Sequence, residues 1–203
     1  MTGLLCVKAL GLPLTSPTPD LAQQVGAARL DYFRGLTGDG DAADRAQAEF
    51  ASLERAHPRD ATVMAYEGSL QLLDAARTWA VWNKHKLATG GLAKLDRAVE
   101  IAPEDLEVRF IHAEPTWHLP FFYHRKEQAE QDFAFIAPRA ELAAVRGTLA
   151  PQIAAAALDG YGHILAAKGD SSGARQVFLA AVRVDSTSPG GRDASKHLSE
   201  QRD

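Results

Sequence analysis

Cysteine is nearly absent from this chain. Cys6 is the only one in 203 residues, so no intrachain disulfide can form. A lone thiol fits a reducing compartment, and a cytoplasmic protein is the expectation; a secreted form stripped of its leader has the same composition. Cys6 also has no histidine nearby in sequence to activate it as a nucleophile. Long apolar runs are missing too, since none approaches the ~18 residues of a membrane helix. The opening MTGLLCVKALGLPL is interrupted by Lys8 and shows neither a basic start nor an A-x-A site, so it does not read as a leader. Basic excess is lacking. Lys and Arg number 22 against 26 Asp and Glu, for a net charge of −4, which argues against nucleic-acid or anionic-membrane partners. The short clusters Lys84-His85-Lys86 and His124-Arg125-Lys126 read as solvated helix faces. Catalytic signatures are also lacking: no H-E-x-x-H, no G-x4-G-K-[ST] and no G-x-S-x-G occurs. TGGLAK and GDSSGAR are glycine turns, and GDGDAAD at 38–44 lacks the glycine and distal glutamate of a calcium loop. No cofactor is expected, and no residue is assigned a catalytic role.

What is present is helical periodicity in a chain long enough for a substantial core. The clearest stretch is AAALDGYGHILAAKGDSSGARQVFLAAVRVDS, residues 155–186. Ala174, Phe178 and Ala181 are four and three apart and so share one helix face. Gly162 and Ala174 are small enough to let two helices approach where Phe178 needs a slot. Gly169 can end the first helix in a left-handed conformation, and Asp170 or Ser171 can cap the second. Leu158, Tyr161, Gly162 and Leu165, followed by Ala174 and Phe178, carry the spacing W-x2-L-G-x2-Y…A-x3-F, with leucines where aromatics are usual. The stretch therefore resembles one tetratricopeptide repeat.

The same stripe recurs upstream. Residues 1–18, with Pro13 and Pro17, read as an arm, and Thr18-Pro19 as a helix start. A helix over about 19–36 places Leu21, Val25, Ala28 and Tyr32 together; a second, capped by Asp41, runs over about 41–57 with Ala46, Phe50 and Leu53. The next pair opens at Asp60 with Val63, Tyr66, Gly68, Leu70 and Leu73, and continues with Gly91, Leu95 and Ala98. Pro58 and Pro103 lie 45 residues apart, longer than the roughly 34 of a standard unit. The excess falls between Gly68 and Gly91, predicting an extended first helix and a longer turn. A third pair opens at 104–113, its first helix ending at Pro115 and its second covering about 123–136 with Ala129, Phe133 and Ile136. A short helix over 138–149 and a final polar-faced helix from DASKHLSEQ complete the chain.

The expected fold is thus all-α: antiparallel helix pairs stacked as an irregular tetratricopeptide-like α-solenoid, one domain over 19–203. The resemblance implies a non-enzymatic module that binds a protein or peptide on one face. Tyr66, Glu67, Gln71, Arg109, His112 and Trp117 are the candidate contacts, suited to an acidic or C-terminal peptide. The rival is a metal-binding protein or enzyme using His112, Glu114, His118 and His124, spaced H-x5-H-x5-H. Steps of six scatter residues around a helix, so surface histidines are the cheaper reading. Trp117, Phe121, Phe122 and Tyr123, like Trp79 and Trp82, read as plugs in the core. A third possibility is a homo-oligomer through the open end of the stack.

Overall fold

The computed structural model describes residues 20–200, excepting the side chain of Val81. The expected arm at 1–18 and the Thr18-Pro19 helix start lie outside the described residues. Among the described residues nine α-helices follow one another: α1 Leu21–Leu36, α2 Gly40–Ala56, α3 Ala61–Arg77, α4 Val81–Ile101, α5 Leu106–Trp117, α6 Lys126–Val145, α7 Pro151–Ala167, α8 Ser171–Asp185 and α9 Pro189–Glu200. A single 3-10 turn, Phe121–Tyr123, lies between α5 and α6. No strand occurs among the described residues.

Aspartate starts most of these helices. Asp20, Asp39, Asp60, Asp105 and Asp170 each accept a hydrogen bond from a backbone N–H of the first turn. The cap of α2 is Asp39 rather than the expected Asp41, because the helix begins a residue earlier and Asp41 sits in its first turn. Gly169 adopts φ +84° between α7 and α8, as its place before Asp170 predicts.

Three helix limits differ from expectation. The extra length in the second pair belongs to α4, with 21 residues, while α3 stops at Arg77. Pro115 does not end α5; the helix runs on to Trp117, and the Thr116 hydroxyl donates to the His112 carbonyl at 2.6 Å. Pro138 does not break α6, which continues unbroken to Val145 with the proline exposed to solvent.

Helices pack as pairs, α1 with α2, α3 with α4, α5 with α6 and α7 with α8, and α9 lies on both α7 and α8. The second helix of every pair buries the same stripe. Ala46, Phe50 and Leu53 of α2, Gly91, Leu95 and Ala98 of α4, Ala129, Phe133 and Ile136 of α6, and Ala174, Phe178 and Ala181 of α8 are all buried. Two glycine contacts set how close the helices come. A Cβ on Gly68 would lie 2.7 Å from the Gly91 carbonyl oxygen, so α3 and α4 touch backbone to backbone. A Cβ on Gly162 would lie 2.5 Å from Phe178 Cε1, confirming the slot read from the sequence. Aromatic rings link the pairs: Phe50 stacks on Tyr66 at 4.5 Å, Tyr66 meets Tyr32 edge-on at 4.8 Å, and Phe110 meets Phe33 at 6.5 Å.

Candidate functional site

The residues expected to contact a partner mostly face inward. Tyr66 is buried, and its hydroxyl donates to Glu107 Oε1 at 2.8 Å while accepting from Arg29 Nε at 3.2 Å. Glu67 is buried beside Lys94, with Nζ 3.5 Å from Oε2, and its Oε1 has no partner. Burial pushes the Glu67 carboxyl above the usual range, Lys94 opposing. Arg109 donates to Asp132 Oδ1 at 2.5 Å and lies over the Phe135 ring at 4.1 Å. Trp117 is half-buried under Lys126, whose Nζ is 5.3 Å from the ring centroid. Only Gln71, also half-buried, opens onto a groove. The expectation of one accessible surface is therefore corrected for Tyr66, Glu67 and His112. Their faces of α3 and α5 turn toward neighbouring helices, which the helical period alone does not reveal.

His112, 3% exposed, sits at the middle of a charge chain whose outer members are partly exposed. Its Nδ1 is 2.5 Å from Asp132 Oδ2, and its Nε2 is 3.3 Å from Asp96 Oδ1. Arg109 holds Asp132 from one end, and Arg125 donates to both Asp96 oxygens at 2.6 and 2.9 Å from the other. Burial alone pushes the Asp96 carboxyl up, but Arg125 and His112 outweigh it and hold it below the usual range. The chain ties α4, α5 and α6 together and leaves His112 no ring nitrogen for a metal. The rival metal set does not assemble either. Glu114 and His118 approach to 3.7 Å, and no three of His112, Glu114, His118 and His124 bring donor atoms within 4.8 Å of one another.

The exposed aromatics also depart from expectation. Trp79 and Trp82 are 84% and 73% exposed, and Phe121 and Phe122 protrude as well, so these four are not core plugs. Trp117 and Tyr123, also expected inside the core, are half-buried and pack against its edge. The two tryptophans meet edge-on at 5.9 Å around the start of α4, next to an open groove of about 720 Å³. Gln71 of α3 and Asn83, Lys86, Leu87, Thr89 and Gly90 of α4 line it. No acidic residue occurs between Asp74 and Asp96, whereas Arg77, Lys84, Lys86 and Lys94 all fall there. Arg77 pairs with Asp44, and Lys94 pairs with Glu54 and Glu67. Lys84 and Lys86 are exposed, and no acid pairs with either among the described residues. That acid-free stretch was the signal in the sequence for this surface.

One set among the described residues gathers donors in a metal-ligating geometry: His163 of α7 with Asp193 and His197 of α9. Asp159 of α7 lies next to it, buried, and burial pushes its carboxyl up to about 7, with His163 opposing and Asp193 adding. The sequence trace of this set is the twice-occurring D-x3-H, at Asp159-His163 and Asp193-His197. No helix among the described residues is long and apolar enough to cross a membrane. No family model, curated protein or solved structure matches the chain.

Proposed function

We propose that the chain is a non-enzymatic binding module, a tetratricopeptide-like α-solenoid that holds an acidic protein segment along the exposed start of α4. The carrying observation is the conjunction at that one place of two exposed tryptophans, two unpaired lysines and an open groove. Exposed tryptophans supply large contact area at low entropic cost and recur as the anchors of protein interfaces. Unpaired lysines on a chain of net charge −4 attract acid locally while the rest of the surface repels it. Gln71 offers an amide to the backbone of an extended ligand in the groove. The recurrent small-x3-large stripes on α2, α4, α6 and α8 support the repeat reading.

Tryptophan fluorescence tests this. A synthetic peptide alternating Glu with Phe should shift the emission saturably, and its Lys-Phe counterpart should not. The charge-reversed variant Lys84→Glu/Lys86→Glu should lose the response and Trp82→Ala should weaken it. Equal responses to both peptides, or none at millimolar peptide, would overturn the proposal.

A further inference from the structure

We propose that Asp159, His163, Asp193 and His197 form a site for one divalent ion of the zinc class, clasped between α7 and α9. The proposal is independent of the groove on α4 and concerns the opposite end of the chain.

Each helix contributes one aspartate and one histidine four residues apart, so both members of a pair share a face. Four donors bonded to zinc at ~2.0–2.1 Å in a tetrahedron stand ~3.3 Å from one another. The distances here bracket that edge. His163 Nε2 lies 3.1 Å from Asp193 Oδ2, His197 Nε2 lies 3.7 Å from the same oxygen, and Asp159 Oδ2 lies 3.7 Å from His163 Nε2. Donor atoms of His163, Asp193 and His197 all lie within 4.8 Å of one another, and Asp159 adjoins them through His163.

A second observation asks for a cation beside this set. Asp159 is 9% exposed, and its Oδ1 has no hydrogen-bond partner. Neither Asp159 nor Asp193 is paired with a lysine or arginine among the described residues; histidines are their only partners. A buried carboxylate so placed is costly unless a positive charge answers it. The surroundings also fix the imidazoles. The rings of His163 and His197 meet edge-on at 4.4 Å, and Phe178 stacks on His197 at 5.4 Å. The far nitrogen of His197, Nδ1, lies 3.6 Å from Glu200 Oε2, the kind of carboxylate that orients a metal-bound histidine. Two imidazoles with carboxylates suit zinc and its neighbours rather than magnesium or calcium. The bound ion would fasten α9 to α7.

The test uses the full chain, freed of metal by a chelator. Calorimetric titration with zinc chloride should give one ion per chain at this site, and cobalt chloride should produce the strong visible absorption of a four-coordinate ion. His163→Ala and Asp193→Asn should each weaken zinc binding by about 100-fold or more. Asp193 is half exposed and can be changed without disturbing the fold, which circular dichroism checks. Zinc should raise the melting temperature of the native chain and leave that of Asp193→Asn unmoved. Absence of zinc binding, or unchanged affinity in the Asp193→Asn/His197→Ala variant, would overturn the proposal.

Discussion

Two histidines in this chain each lie between two aspartates, and their circumstances are opposite. His112 stands between Asp132 and Asp96, and behind these stand Arg109 and Arg125, so two guanidinium charges balance two carboxylates. His163 stands between Asp159 and Asp193, and among the described residues no guanidinium or ammonium group stands behind either. The first chain is closed. Every carboxylate oxygen that faces the imidazole is answered from within the protein, and the group serves to lock three helices. The second is open, with a buried oxygen unanswered, and it can accept a cation from solution. Residue type does not separate structural from binding histidines here. What separates them is whether the protein itself completes the charge.

The largest test of this contrast is Asp132→Ala. Both of its oxygens are used, one by Arg109 and one by His112, and removal leaves a half-buried guanidinium short of one acceptor and a buried imidazole without its nearer one. Breaking such a pair costs about 3–5 kcal/mol. Urea unfolding at constant pH should show that loss. A change below about 1 kcal/mol would mean that the chain around His112 stabilises no more than an exposed ion pair does.

Phe178→Ala comes next. The ring fills the slot against Gly162 and touches both His163 and His197, at centroid distances of 5.4 Å. Emptying a buried phenylalanine site costs about 3–5 kcal/mol, and the lower end is expected because the half-buried imidazoles can settle into the space. An unfolding free energy unchanged by the substitution would remove Phe178 from the support of the open cluster.

How these regions were visible in the sequence differs in an instructive way. The stripes Ala46-Phe50-Leu53 and Ala174-Phe178-Ala181 were legible because a helix face is decided by local spacing. The caps Asp60 and Asp170 were legible for the same reason, whereas the cap of α2 was misplaced by two residues, at Asp41 instead of Asp39. Helix limits at Pro115 and Pro138 were not, since packing carries a helix past a proline when the lost hydrogen bond is offset by neighbouring contacts. The partner-facing reading of Tyr66 and His112 failed at the next level. Periodicity says that residues share a face, and only tertiary structure says what that face meets. The cluster on α7 and α9 lay in the same gap: each D-x3-H is written in the sequence, but their meeting depends on α9 folding back over α7.

Glu67 is an intermediate case that sharpens the contrast, with one oxygen near Lys94 and the other unanswered. Burial raises its carboxyl in the folded chain above the unfolded value of about 4.3. The sign follows from linkage. Its contribution to stability is complete below that unfolded value and is lost as pH rises through the raised folded one. Glu67→Gln cannot ionise, so its melting temperature should gain on that of the native chain as pH rises from about 4 toward neutrality. Lys94 keeps Glu54 as a partner in the variant. A melting-temperature difference that stays constant over this range would show that the half-answered carboxylate carries no such penalty.

The smallest expected effect is that of Asp193→Asn in metal-free protein, and it bears most directly on the contrast with Asp132. Asp193 is half exposed, so water solvates its charge and its pairing with His163 at 3.1 Å contributes little. The amide retains an oxygen that can accept from the imidazole. Unfolding free energy should therefore change by no more than about 0.5 kcal/mol, against the several lost at Asp132. The gap between the two variants should narrow once zinc is added. The ion binds the folded chain and not the unfolded one, so it stabilises according to its affinity, and Asp193→Asn forfeits that gain whereas Asp132→Ala, where it still folds, keeps it. A metal-free loss at Asp193 as large as that at Asp132 would mean that the open cluster is a second structural lock, closed without any ion.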